Sequence, residues 1–194
     1  MIIIGLTGTT GAGKSTVAKY LVSKGFYHID ADKVAKDVIN NTNSVKDKLK
    51  AQFGNDVINF DGTTSRKILA ERAFKDREST EKLNKITHPA INKKIMEIIE
   101  IQKSLGVVGC IIDAIGLFES GEDKLCHVTI AVSAPLNIRL ERIISRDNIS
   151  EKQALLRISA QKNQEYYEKL ADYTVKNYGT FEIKNQIDEI LKNI

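Results

Sequence analysis

Cysteine is scarce in this chain, with two among 194 residues, and neither has a second cysteine close enough in sequence to form a ligand pair. A disulfide framework and a zinc ribbon are therefore excluded. Cys110 lies in an apolar, strand-like run and Cys126 follows a loop, so both read as reduced, structural thiols. No apolar stretch approaches the ~18 residues of a membrane span. The start, Met1-Ile2-Ile3-Ile4, lacks the basic lead and long apolar stretch of a secretory signal, so a cytoplasmic protein is expected. Repeats, low-complexity tracts and flexible linkers are also missing, which leaves one compact α/β unit as the expected organisation. The excess of positive charge is small, 29 Lys and Arg against 25 Asp and Glu for a formal +4. Spread over many lysines, it points to no nucleic acid and suits small polyphosphate ligands. Nothing indicates an obligate protein partner. There are only two prolines, and both read as boundaries. Ala134-Pro135 stops a strand, and His88-Pro89 holds His88 extended and puts Pro89 at a first helical position.

What is present begins with Gly8-Thr9-Thr10-Gly11-Ala12-Gly13-Lys14-Ser15, a complete match to the phosphate-binding pattern G-x-x-x-x-G-K-[ST]. Its flanks are those the pattern requires. Ile2-Ile3-Ile4-Gly5-Leu6 reads as a buried strand, and Thr16 to Val22 reads as a helix. Glycines let the backbone curl so that several N–H groups point inward at the positive end of the following helix, which makes a socket for anionic oxygens. Lys14 would bring a full charge to the β- and γ-phosphates of a nucleoside triphosphate, and the Ser15 hydroxyl would complete the shell of a Mg²⁺ ion.

Lys24-Gly25 closes that helix with a glycine suited to a left-handed cap, and Phe26-Tyr27-His28-Ile29 reads as a second strand. It runs into Asp30-Ala31-Asp32. In open parallel sheets ligands gather beyond the carboxyl ends of strands. Were the segment extended, Asp30 and Asp32 would point to one side. Asp32 suits two roles: general base for an acceptor hydroxyl, or N-cap of a helix starting at Lys33. Residues 33–104 read as a helical insert, with a turn at Phe60-Asp61-Gly62-Thr63-Thr64 and Ser65 as the cap of the helix carrying Arg66. Val107 to Ile112 returns to a central strand and ends in Asp113, a candidate for the metal's neighbourhood. Val128 to Val132 is a further strand and Tyr173-Thr174-Val175 a last one. The closing helix has Ile183, Ile187, Ile190, Leu191 and Ile194 on its buried side.

Between those last strands, Arg139, Arg142 and Arg146 fall in one helical stripe, with Glu141 and Asp147 near enough to pair with them. Ser150-Glu151-Lys152-Gln153 looks like a capping box opening a second helix, on which Arg157, Gln161 and Gln164 would share a face. A helical hairpin presenting arginines is what a closing lid over ATP would offer. The fold expected is thus an α/β, P-loop-type parallel sheet flanked by helices. Its core takes roughly 1–32, 105–136 and 170–194, with the helical insert at 33–104 and the lid at 137–169.

Across nearly the whole chain these pieces resemble the dephospho-coenzyme A kinases. The likeness is carried by Gly5 to Gly8 with Gly13 to Ala18, Ile29-Asp30-Ala31-Asp32, Phe53-Gly54, Asp61-Gly62 with Arg66, and Leu83-Asn84 with His88-Pro89. It continues through Leu117-Phe118-Glu119, Ala134-Pro135, Arg139 to Arg146, Arg157-Ile158 with Gln161, and Ala171-Asp172 with Asn177 and Gly179. The resemblance implies transfer of the ATP γ-phosphate to the ribose 3′-hydroxyl of dephospho-coenzyme A, with Mg²⁺. It implies that Asp32 is the base, and that Lys14 and the amides of residues 8–16, Thr16 included, hold the phosphates with Ser15 at the metal. Arg142 and Arg146 would be lid arginines, Asn177 would lie at the adenine end, and Arg66, His88, Glu119, Arg157 and Gln161 would serve the acceptor. Two stretches depart from the family pattern. Ile115-Gly116 stands where Pro-Leu is usual before Leu-Phe-Glu, so a looser loop is expected there. Thr9 and Ala12 stand at pattern-free positions of the glycine loop. A guanine-reading N-K-x-D motif, which a nucleotide-hydrolysing switch would need, is absent. A kinase for another small acceptor, such as a nucleoside or nucleoside monophosphate, would share the loop, base and lid.

Overall fold

The three β-branched isoleucines that follow Met1 cannot relax in a helix without losing side-chain freedom, and they pack well on a pleated surface. They open the central strand of a five-stranded sheet in a computed structural model that describes residues 1–194. In chain order the elements are β1 (Ile2–Thr7), α1 (Lys14–Ser23), β2 (Phe26–Asp30), α2 (Ala31–Asn41), α3 (Asn43–Phe53), α4 (Arg66–Ala73) and α5 (Arg77–Ser104). There follow β3 (Gly109–Asp113), β4 (Val128–Ser133), α6 (Leu136–Asp147), α7 (Glu151–Ser159), α8 (Gln164–Leu170), β5 (Tyr173–Lys176) and α9 (Ile183–Lys192). The sheet order is β2-β3-β1-β4-β5. β1 pairs in parallel with both β3 and β4, bringing Leu6 opposite Asp113 and Thr7 opposite Ala131. The residues fall into two compact units, Met1–Ile29 with Gln102–Ile194, and Asp30–Ile101. No helix is long and apolar enough to cross a membrane.

The first unit holds the sheet, and its core joins Ile4 and Leu6 of β1 to Val17, Ala18 and Leu21 of α1 and to Ile187 and Ile190 of α9. Burying a valine or leucine contributes about 1.5–3 kcal/mol, so these contacts anchor the base of α1 firmly beneath the glycine loop. At the far end of α1, Asp188 of α9 accepts from Tyr20 Oη at 2.8 Å and pairs with Lys24 Nζ at 2.8 Å. α9 stops at Lys192, and Ile194 is exposed, so the expected apolar stripe ends at Ile190 with Leu191 only partly covered. Both cysteines are free. Burial pushes the Cys126 thiol up to about 12 and raises that of Cys110, in keeping with structural thiols.

The second unit is built from α2 to α5. Val38, Val45, Leu49, Phe53 and Leu69 are buried in it, as are Ile91, Ile95 and Ile99 at helical spacing on α5. The turn expected around Asp61 is present: Asn59 N donates to Thr63 O at 2.8 Å, and Asp61 accepts from Thr63 N at 2.9 Å. Ser65 occupies the N-cap of α4, but its hydroxyl caps nothing. Pro89 overturns an expectation. It lies inside the 28-residue α5, so His88 is helical rather than extended. A proline in a helix interior costs about 3 kcal/mol. Ile91, Ile95 and Ile99, all buried beyond it, offset that cost and hold the helix continuous through the missing N–H.

Candidate active site

The glycine loop leaves β1 at Thr7 and enters α1 at Lys14, and Gly8, Gly11 and Gly13 all have positive φ. At Gly13 (φ +94°) a Cβ would sit 2.0 Å from Asn177 Nδ2, and at Gly11 (φ +79°) 2.7 Å from the Arg139 carbonyl oxygen. Glycine is required at both places by handedness and by space. Gly13 is the N-cap of α1 and carries no side chain to satisfy the first N–H groups, so the helix presents them, with its positive end, to whatever the loop encloses. Lys14 Nζ reaches back to the Gly8 carbonyl at 3.3 Å, spanning the mouth of the loop. Ala12 is fully buried and Thr9 nearly so, while Ser15 and Thr16 are exposed at the start of α1.

Side chains from far along the chain close on this loop. Arg142 Nη1 donates to Gly11 O at 3.3 Å and to Ala12 O at 3.2 Å, while its Nη2 donates to Asn177 O at 2.9 Å. Asn177 Nδ2 donates to Ala12 O at 2.8 Å. Two positions named on separate grounds, Arg142 and Asn177, are thus brought together around the loop's outer carbonyls. Gln161 Oε1 accepts from Thr10 N at 2.8 Å, and Gln164 Oε1 from Ala134 N at 3.2 Å. The shared face expected for Arg157, Gln161 and Gln164 does not form. α7 ends at Ser159 and α8 begins at Gln164, with Asn163 capping it by accepting from Tyr166 N at 3.0 Å. The non-helical connector turns both glutamine side chains toward the sheet end. The capping box at Ser150 and Gln153 forms as expected.

Arg146 and Arg157 converge on one carboxylate. Arg146 grips Asp147 with Nε at 2.8 Å and Nη2 at 2.9 Å, and Arg157 Nη1 donates to the same Asp147 Oδ2. Those arginine bonds hold Asp147 below the usual carboxylate range and raise Arg146 above its ordinary value. Arg139, from the same helical stripe, is buried instead.

Asp113 Oδ2 lies within hydrogen-bond reach of His28 Nε2 at 3.1 Å, a pairing between β3 and β2 that leaves its other oxygen unengaged by that ring. His28 drew no attention in the sequence, because a lone histidine in a strand carries no pattern. Thr7 Oγ1 donates to Ile115 O at 2.9 Å, and Ser120 N and Oγ donate to Gly116 O at 2.9 and 2.8 Å. The Ile115-Gly116 loop thus accepts hydrogen bonds through its carbonyls, which side-chain identity does not govern. Glu119 accepts from the buried Tyr167 hydroxyl at 3.2 Å, and burial with that carboxylate raises the tyrosine's pKa.

In the second unit, α2 begins at Ala31, one residue after β2 ends. Asp30 and Asp32 consequently do not alternate along a strand. Asp30, and not Asp32, is the N-cap, accepting from Lys33 N at 3.0 Å. Asp32 is exposed in the first turn of α2 and is spared the capping task. Arg66 is exposed at the first position of α4. His88 is half-buried on α5, and burial lowers its pKa.

No group of three His, Cys, Asp or Glu side chains is assembled to hold a metal ion. The donors near the loop, Ser15 Oγ and the Asp113 carboxylate, are hard oxygens, which suit an ion taking one or two protein ligands together with phosphate and water.

The family model of the dephospho-CoA kinases matches residues 2–182. A dephospho-CoA kinase of Fusobacterium nucleatum is 41% identical over 182 residues, which cover 94% of this chain and 92% of that protein. One from Corynebacterium diphtheriae is 36% identical over 187 residues, covering 96% and 94%. Among solved structures, a Thermus thermophilus protein superposes with TM-score 0.81 at 31% identity, covering 100% of this chain and 97% of that one. Dephospho-CoA kinase from Campylobacter jejuni superposes with TM-score 0.67 at 28% identity, covering 98% and 96%. A shikimate kinase of Acinetobacter baumannii, at 14% identity and TM-score 0.52, shares the fold. With a fastened glycine loop at its centre and relatives matching it nearly end to end, the chain belongs to the dephospho-CoA kinase family.

Proposed function

We propose that this protein transfers the γ-phosphoryl group of ATP to the 3′-hydroxyl of dephospho-coenzyme A, completing coenzyme A. The observation that carries this reading is the loop from Gly8 to Ser15, uncapped at α1 and spanned by Lys14, in a chain of this family. Phosphoryl transfer asks little covalent chemistry of a protein and much positioning and charge. The amides of residues 8–16 and Lys14 would hold the phosphates, and Arg142, already seated on Gly11, Ala12 and Asn177, would supply a fixed positive charge beside them. Asn177 would border the nucleotide, and Arg146 would join the phosphates from α6. Asp32, exposed and released from capping by Asp30, would take the acceptor's proton.

Ser15 and Asp113 would hold Mg²⁺. Bound there, the ion would neutralise charge on the β- and γ-phosphate oxygens. The unit Asp30–Ile101, with Arg66 and His88, would receive the acceptor, together with Glu119, Arg157 and Gln161. The segment 137–169 would serve as the lid over ATP. A cytoplasmic setting agrees with two free thiols.

The test is ATP consumption with dephospho-coenzyme A, run beside nucleosides, nucleoside monophosphates and shikimate. Stimulation by dephospho-coenzyme A well above the others is expected. No stimulation by it, or a larger one by a nucleoside, would overturn the assignment.

A further inference from the structure

Arg139 is the one arginine of the α6 stripe that the site described above leaves unused. It is 7% exposed, and its Nε and Nη1 are sealed from solvent with no hydrogen-bond partner in the protein. No carboxylate pairs with it, in contrast to Arg146 and Arg157, which share Asp147. Its backbone is pressed onto the glycine loop: a Cβ at Gly11 would come within 3.0 Å of its Cα and Cβ. Side chains on a helix lean toward its N-terminus. For Arg139 that direction is the Ala134-Pro135 turn at the carboxyl end of β4, the sheet edge where β1 hands over to the loop. A second orphan lies two residues before Gly11, the buried Thr9 hydroxyl.

A guanidinium keeps its charge even when desolvated, although burial lowers its pKa. Nε and Nη1 together carry three N–H donors, and leaving charged donors buried and unmet is among the costlier things a fold can do. A residue there for packing alone would be better served by an apolar chain of the same length. A ligand that satisfies it would be anionic and would reach the seam between α6 and the loop.

We propose that Arg139 is a further phosphate-binding residue of the nucleotide site, its guanidinium turning out from this buried, unpartnered position to donate to the phosphate oxygens of ATP. This rests on the reading of the loop as an ATP site, and it is independent of which acceptor is phosphorylated. Arg139 and Arg142, three residues apart on α6, then form a pair with divided tasks. Arg142 is held by protein carbonyls and shapes the loop, while Arg139 is held by the nucleotide.

The experiment uses the full chain with Arg139→Met and Arg139→Lys, measuring ATP affinity without acceptor, the thermal midpoint with and without ATP, and turnover. For Arg139→Met we expect a nucleotide-free midpoint equal to or above the original, with ATP affinity lower by about tenfold to a hundredfold, the range of one or two lost charge-assisted bonds. Arg139→Lys should recover part of the affinity, since it keeps the charge without the fork. ATP affinity of Arg139→Met within about twofold of the original would overturn the proposal. So would a fall of the nucleotide-free midpoint in both variants with equal loss of affinity, which marks a packing residue. If the methionine variant does not fold, packing is again the role and the proposal fails. Absence of stimulation by dephospho-coenzyme A in the unaltered protein would sink the acceptor assignment alone, because ATP affinity is read without acceptor.

Discussion

Replacing Gly13 with alanine should separate what the glycine loop needs from what any left-handed turn needs. The backbone there has φ +94°, and the added methyl would lie 2.0 Å from Asn177 Nδ2 and 3.5 Å from Arg142 Nη1. Left-handed strain costs an L-residue about 1–2 kcal/mol. Ordinary contact needs about 3.5 Å, so the Asn177 amide must retreat by about 1.5 Å. In doing so it gives up its bond to Ala12 O, for another 0.5–1.5 kcal/mol or so. The sum, about 1.5–3.5 kcal/mol, corresponds to a thermal midpoint lowered by roughly 3–14 °C in a chain of this size. Gly121→Ala is the matched control, in the same unit, with φ +75° and nothing within 4 Å of its would-be Cβ. It should show the strain alone and retain the full midpoint rise on adding ATP. Gly13→Ala should lose most of that rise, because displacing Asn177 also disturbs Arg142, which donates to its carbonyl. A midpoint no lower than that of Gly121→Ala, or an undiminished response to ATP, would refute the close-approach argument.

Two further outcomes follow from the same geometry. Asp32→Asn should lower turnover by ~10² or more while ATP affinity changes little, measured by steady-state kinetics beside equilibrium binding; near-normal turnover would remove Asp32 from the role of base. For Cys126, the folded protein keeps the thiol protonated up to about pH 12 while the unfolded chain ionises near 9.0, so stability should decline as pH rises between those values. Denaturation midpoints across that range should fall less steeply in Cys126→Ala, and the native thiol should resist alkylation at neutral pH.

The sheet strands were legible because buried parallel strands read as continuous apolar runs, and the loop was legible because its chemistry is carried by neighbours in sequence. Gly13, Lys14 and Ser15 need only one another and the helix they open. The helical insert was legible in character and less so in detail. Pro89 misled, since the penalty of one proline is local while the isoleucines that outweigh it act through burial. The connector between α7 and α8 escaped detection, because Asn163 caps a helix of only 7 residues that packing and not propensity sustains. At Asp30-Ala31-Asp32 a helix cap was legible, and the structure gave that task to Asp30 and not Asp32 by starting the helix directly after the strand.

The sequence by itself determined that residues 8–15 carry a complete phosphate-loop pattern, that an α/β sheet supports it, and that arginines follow along the chain. Which arginine does what was decided by the tertiary structure alone. Arg139, Arg142 and Arg146 share one stripe and one residue type, yet one is buried without a partner, one grips loop carbonyls and one is paired with Asp147. Their partners lie where no local pattern reaches: Gln161 meets Thr10 across 151 positions, and Asn177 meets Ala12 across 165. Short-range rules set backbone conformation, because φ and ψ answer to neighbouring atoms. The environment of a charge is set by whatever the folded chain brings within a few ångströms of it.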